Sequence, residues 1–203
     1  MSPEWSAGLA VLAIVAIVML MYNRLVKLRN RAENAWADLD VHLTRRHELI
    51  PNLVEVVKGY AAHEQQTFDA VLRARSTGMA ATDPDALTEA ETQVASQVER
   101  LLMVAEAYPD LKADGRFRDL QIELAATEDK IAFSRQLYND VVTSFATTTQ
   151  SIPWVALAGP LGFQAPPLYA AEDPERTQVR VAFDSGGSDD QSGGQPGDPT
   201  TEG

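Results

Sequence analysis

The chain has 203 residues and no cysteine, so it can form no disulfide, no cysteine-ligated metal site and no thiol nucleophile. Its formal net charge of −12 at pH 7 argues against nucleic acid as a general partner, because phosphate binding requires a basic surface. The length is sufficient for one domain with a hydrophobic core and appendages.

The first predicted element is an apolar helix. The run from Trp5 to Tyr22 contains no charged side chain. As a helix it would be about 27 Å long, close to the ~30 Å hydrocarbon thickness of a bilayer. Glu4 precedes the run and positive charge follows it, which is the reverse of a cleaved signal peptide. Trp5 and Tyr22 lie at its two ends, where aromatic residues meet membrane interfaces. The sequence therefore predicts an uncleaved membrane anchor over residues 1–24.

Four basic residues follow the apolar run closely: Arg24, Lys27, Arg29 and Arg31. Positive charge next to a membrane-spanning helix favours the cytoplasmic side of the membrane. The sequence thus predicts a single-pass protein of the cell membrane whose remaining chain lies in the cytoplasm.

Apolar residues then recur at spacings of three and four from Leu25 to Leu72, as an amphipathic helix requires. Pro51 interrupts this pattern, since proline lacks the backbone N–H of a helix interior but suits a first turn. Either one helix kinks here, as the continuous apolar register favours, or two helices form a hairpin, as the lengths of the two pieces favour. Gly78 and Pro84 are predicted to end the region.

Two further helices are predicted by the same periodicity, over about residues 85–107 and 116–150. The segment LAGPLGFQAPPLY, residues 157–169, is irregular and apolar, and we expect it to lie against the end of the bundle. The sequence therefore predicts an all-α helical bundle over residues 25–171.

Two C-terminal segments are predicted separately. Residues 172–183 form a short extended segment, in which TQVRVAF alternates between polar and apolar in the manner of a strand. Residues 184–203 are acidic and rich in Gly, Ser and Pro, a composition that cannot bury a core, so a disordered tail is predicted.

The motifs of common catalytic and metal sites are absent from the sequence. A helical zinc pair needs two histidines four residues apart, and His42, His47 and His63 do not have that spacing. The sequence also has no Gly-rich phosphate loop, no nucleophile elbow and no Ser-His-Asp arrangement. We therefore expect no metal, no cofactor and no enzymatic activity.

Polar residues within the amphipathic helices form the candidate site. They are predicted to fix how the helix after Pro51 leaves the helix before it and packs on the helix of residues 116–150, or to bind a partner. They are Arg45, Asn52, Lys58, His63, Glu64, Glu128, Arg135 and Asn139. Glu128 is predicted to pair with Arg45 or Lys58, so that its loss would cost roughly 3–5 kcal/mol if the pair is buried. The alternative is an enzyme with an unrecognised polar site formed by Arg45, Lys58, Glu128 and Arg135.

The chain resembles the LemA family of bacterial proteins from residue 22 to residue 171. The most specific part is RRHELIPNLVEVVKGY, and the pattern continues through AYPDLKADGRFRDLQIELAATEDKIAFSRQLYNDVV and SIPWVALAGPLGFQAPPLY. Phe145 and Trp154 depart from the family pattern. The resemblance implies a single-span anchor followed by an antiparallel four-helix bundle, and therefore the hairpin at Pro51.

The resemblance implies no defined activity, because the family has no settled biochemical function. Its genes often neighbour those of membrane proteases and other membrane proteins. We therefore expect a membrane-anchored helical scaffold or adaptor, linked to envelope stress or membrane protein quality control. The expected partners are the lipid bilayer and a membrane protein, with no nucleic acid, and an oligomer is left open.

Overall fold

The computed structural model describes residues 3–82 and 84–169. Within these two ranges there are six helices: α1 (Pro3–Lys58), α2 (Gln65–Ala80), α3 (Pro84–Glu106), α4 (Pro109–Ala113), α5 (Gly115–Gln150) and α6 (Val155–Ala158). Those two ranges contain no strand, so the predicted all-α fold is confirmed. The predicted extended segment 172–183 and the predicted disordered tail 184–203 lie outside the described residues.

Helix α1 is 56 residues long and continues from the apolar run into the bundle without interruption. The side chains of residues 5–20 are exposed on every side of the helix, and burial begins at Met21. Within the described part of the chain, α1 is the one helix whose length and composition allow it to cross a membrane.

The predicted hairpin at Pro51 is wrong, because Pro51 lies inside α1. The chain turns later, between Lys58 and Gln65. Ile50 and Leu53 flank the proline and are both buried, so the apolar register continues through it. A proline inside a helix costs about 3 kcal/mol, and burial of several apolar side chains on both sides offsets that amount.

Helices α1 and α5 pack side by side and run in opposite directions. Near the anchor, Leu25 shares a buried cluster with Phe145. Farther along, Leu39 clusters with Tyr138, and at the far end of α1, Leu53 clusters with Phe117. Residue numbers therefore rise along α1 while they fall along α5.

The boundaries of α3 and α5 agree with the predicted helices to within one residue. Asp114 caps α5, since its carboxylate accepts hydrogen bonds from the backbone amides of Arg116 at 2.7 Å and Phe117 at 3.3 Å. Gly78, predicted to end a helix, instead lies inside α2. The segment 157–169 packs against the bundle as predicted, with Phe163 beside Leu25 of α1.

Candidate functional site

A cluster of charged side chains, three of them buried and the fourth partly exposed, lies where α1, α3 and α5 meet. Arg46 of α1 is only 3% exposed, and its Nη2 donates to Glu91 of α3. Its Nη1 donates to both carboxylate oxygens of Glu128 on α5, at 2.9 and 3.0 Å. His47 completes the group, with Nε2 2.8 Å from Oε1 of Glu91. These four residues are called the ion cluster below.

The residues of the ion cluster occupy positions that the helical period reserves for apolar side chains. Arg46 lies three residues after Leu43 and four before Ile50, both of which are buried. Glu91 lies four residues after Leu87 and three before Val94 on α3, and both of these are buried. A charge on an apolar stripe is the signal by which Arg46 and Glu91 could have been found in the sequence, where we did not single them out.

Arg46 and Glu91 remain ionised despite their burial. Burial lowers the pKa of Arg46, but the carboxylates of Glu128 and Glu91 outweigh that effect and raise it above its ordinary value. Burial likewise raises the pKa of Glu91, but the hydrogen bond from His47 and the charge of Arg46 lower it overall. Each charge therefore keeps its partner charged, as a buried pair requires.

Helix α2 approaches the ion cluster through Gly78. A Cβ atom at this position would lie 2.8 Å from Cε1 of His47 and 2.9 Å from Oε1 of Glu91. Glycine inside a helix costs about 1 kcal/mol relative to alanine. That cost is explained here because only glycine lets α2 pack directly on the His47–Glu91 pair.

Pro51 is connected to the ion cluster through the backbone of His47. In an α-helix the amide of residue 51 would bond the carbonyl of residue 47, and proline has no such N–H. Arg75 of α2 supplies the missing donor, with Nε 2.6 Å from the His47 carbonyl oxygen. The proline thus leaves free a carbonyl of α1 to which α2 docks.

Two clefts border the ion cluster. One of about 480 Å³ is lined by His47, Glu91 and Arg75, and another of about 410 Å³ by Arg46, Glu128 and other residues of α3 and α5. Two buried nitrogens, Nε of Arg46 and Nδ1 of His47, have no hydrogen-bond partner among the described residues. No group of three His, Asp or Glu side chains there is arranged to hold a metal ion.

Glu128 lies in the ion cluster, but the partners predicted for it are wrong. Its cation is Arg46, whereas Arg45 points outward and donates from Nε to Oε1 of Glu123 at 3.1 Å. Lys58 is exposed in the last turn of α1. Adjacent residues of a helix point about 100° apart, so Arg45 and Arg46 face different surroundings.

The predicted junction residues lie apart from the ion cluster. Asn52 and His63 are exposed, and Glu64 precedes α2 with no capping bond from its side chain. The side chain of Asn139 bonds the backbone of the segment that follows α6. Its Nδ2 donates to the backbone oxygen of Tyr169 at 3.0 Å, and its Oδ1 accepts from the amide of Tyr169 at 2.9 Å.

Arg135 is partly buried on α5 and lines the same cleft as Arg46 and Glu128. Tyr169 also lines this cleft, and burial, reinforced by the charge of Glu91, raises its pKa to about 12. Its phenol therefore stays protonated at neutral pH.

Comparison with known proteins decides the family. A model described as LemA family matches residues 35–183. The chain belongs to the LemA family. The match includes the whole ion cluster and Pro51, and it begins after the apolar run.

Three similar proteins carry two different names. The magnetosome protein MamQ 2 of Paramagnetospirillum magneticum is 24% identical, over 77% of this chain and 67% of that protein. The magnetosome protein MamQ of Magnetospirillum gryphiswaldense is 22% identical with the same coverage, 77% and 67%. The protein LemA of Metamycoplasma hominis is 25% identical, over 77% of this chain and 72% of that protein.

Proposed function

We propose that this LemA-family chain is a membrane-anchored helical adaptor whose bundle binds a membrane protein on the cytoplasmic side. The observation that carries the proposal is the form of α1. Its residues 5–20 expose apolar side chains on all sides, while the same helix forms part of the buried core from Met21 onward. A helix that is apolar all round is stable in lipid or inside a protein, and this part of α1 packs against no other described element.

The ion cluster supports a structural role within this adaptor. Its two carboxylates both accept from Arg46, and His47 bonds Glu91, so every charge is engaged by another. Such pairing specifies how helices pack, because a misplaced helix would leave a buried charge unpaired. The expected absence of enzymatic activity is part of the same proposal.

One observation favours an enzyme as the second candidate. The cleft of about 410 Å³ is lined by Arg46, Glu128 and Arg135 together, and Arg135 has no ion-pair partner among the described residues. Arg135→Gln separates the two functions, since it removes a cation that has no ion-pair partner among the described residues and leaves the ion cluster intact. Loss of function in a cellular assay with unchanged partner capture would favour the enzyme.

The exposed apolar stripe of α5 is the proposed surface for the protein partner. Phe133 is 69% exposed and Leu137, one turn away, is 40% exposed. A photoactivatable benzophenone residue at position 133 should capture one membrane protein in native membranes, and Leu137→Asp should abolish the capture. The same residue at the exposed Asp119 is the control. Equal capture from both positions would contradict the adaptor surface.

Membrane anchoring and orientation have their own tests. Extraction of membranes with alkaline carbonate should leave the full-length chain in the membrane, and its mature N-terminus should be uncleaved. Protease added to intact spheroplasts should spare the bundle and digest it after lysis. Digestion before lysis would place the bundle outside and contradict the orientation inferred from the basic residues after Tyr22. The link to envelope stress or membrane protein quality control remains a proposal that rests on the family resemblance.

A further inference from the structure

An uncharged stretch covers the end of α5, all of α6 and the irregular segment after it. Residues 141–171 contain no Asp, Glu, Lys or Arg, although 23% of the chain's residues are charged. Several of its apolar side chains point outward, with Ile152 89% exposed and Val155 and Leu161 each 49% exposed. Exposed apolar side chains this close together in the chain are typical of an interaction surface.

The end of α5 lies at the level where α1 leaves its apolar run. Phe145 packs beside Leu25, and α5 continues to Gln150. Those five residues carry α5 about 7.5 Å farther toward the N-terminus of α1. The ring of Phe163 lies 5.7 Å from the ring of Tyr22, which is the last residue of the apolar run.

The segment of residues 152–163 has a buried side and an exposed side. On the inner side, Ala158 and Phe163 are buried against Leu25 of α1. On the outer side, Ile152 and Leu161 are exposed. The basic side chains of α1 at this level, Arg24 and Lys27, are also exposed. Outward apolar groups beside exposed cations are typical of a surface that lies in the interface of a bilayer.

We propose that residues 151–163 insert shallowly into the bilayer beside the anchor and form a second membrane contact, an inference that rests on the proposed membrane anchoring by α1. The occupant is lipid because the segment is continuous with the proposed anchor at Tyr22. Ile152 and Leu161 enter the acyl boundary while Arg24 and Lys27 meet headgroup phosphates. A single spanning helix is free to tilt and rotate, whereas a second contact to one side of it holds the bundle at one orientation.

The test uses the absence of native cysteine. Single cysteines are introduced into the full-length chain as Ile152→Cys and Leu161→Cys and labelled with an environment-sensitive fluorophore. The chain is reconstituted in nanodiscs of phosphatidylcholine and phosphatidylglycerol. Quenching by acyl-chain nitroxide lipids is compared with quenching by aqueous iodide. Leu12→Cys in the apolar run is the lipid control. Ile122→Cys, 69% exposed and about 40 Å farther along α5, is the water control.

Labels at positions 152 and 161 should be quenched by nitroxide lipid severalfold more strongly than the label at 122, and close to the label at 12. If position 12 is quenched by lipid while iodide reaches 152 and 161, the second contact is refuted and the anchor stands. If iodide reaches position 12, the anchor itself is refuted. Labels at 152 and 161 that neither quencher reaches would show a second copy or another protein on this face and would overturn the lipid contact.

Discussion

The bond from Arg75 to the His47 carbonyl makes a double-mutant cycle the direct test of why Pro51 is tolerated inside α1. Arg75→Met keeps an unbranched stem but removes the donor. Pro51→Ala restores a backbone N–H that can bond the same carbonyl. Arg75→Met should therefore lower the free energy of unfolding when Pro51 is present, because the part-buried carbonyl of His47 loses the hydrogen bond from Arg75.

The magnitudes follow from the geometry. A hydrogen bond from a charged donor contributes about 1.5–3 kcal/mol, and a buried carbonyl without a partner costs about 1–3 kcal/mol. We expect Arg75→Met to destabilise the wild-type chain by about 2 kcal/mol and the Pro51→Ala chain by roughly 0.5–1 kcal/mol. Pro51→Ala alone should stabilise the fold by up to about 3 kcal/mol, opposite to the effect expected for a hairpin.

The assay is urea unfolding of the full-length chain in nonionic detergent micelles. Tryptophan fluorescence reports unfolding of the bundle through Trp36, whose ring centroid lies 5.2 Å from that of Tyr138 across the α1–α5 contact, in a chain that carries Trp5→Phe and Trp154→Phe. Circular dichroism reports total helix. Arg73→Met is the matched control, because the exposed Arg73 side chain bonds, among the described residues, a carbonyl of its own helix, that of Asp69 at 3.1 Å. It should change stability by less than about 0.5 kcal/mol.

Additive effects of Arg75→Met and Pro51→Ala, within about 0.3–0.5 kcal/mol, would refute the reasoning. A large loss of stability from Pro51→Ala alone would do the same. In that case the proline would be needed for the shape of α1, and the Arg75 bond would be incidental.

The other predictions concern the ion cluster. Gly78→Ala should destabilise the fold by about 1–3 kcal/mol because the added Cβ would clash with His47 and Glu91. Gly115→Ala is the control, because an added Cβ there would have no atom within 4 Å, and thermal melts compare the two variants. Glu91→Ala should cost roughly 3–5 kcal/mol by urea unfolding, since it leaves buried Arg46 short of a partner. Glu128→Ala should cost only about 1–2 kcal/mol, because its side chain is 42% exposed and Arg46 keeps Glu91 as a partner. If Glu128→Ala and Glu91→Ala lowered the free energy of unfolding equally, Glu128 would belong to the buried core. The pKa of Glu91 is lowered from 4.5, so its contribution to stability is complete above about that pH and is lost as pH falls through the folded value. Unfolding free energies measured from pH 7 to pH 3 should therefore fall less steeply in Glu91→Gln.

Local patterns in the sequence determined the helical elements of this chain. The apolar run to Tyr22 and the three- and four-residue spacings beyond it predict helices because a helix repeats every 3.6 residues. The boundaries of α3 and α5 followed from the same period, with Pro and Gly at their ends. These features depend on residues close together in the chain and need no knowledge of the packing.

The path of the chain at Pro51 and the membership of the ion cluster were decided by tertiary structure. In a sequence, a proline is compatible either with the start of a helix or with an interruption inside one. The donor that makes Pro51 tolerable inside α1, Arg75, comes from another helix. Arg45 and Arg46 are equivalent cations in the sequence. Only the packing of α3 and α5 on one side of α1 buries Arg46 with Glu91 and leaves Arg45 exposed, because the two side chains point about 100° apart and only one of them faces the core.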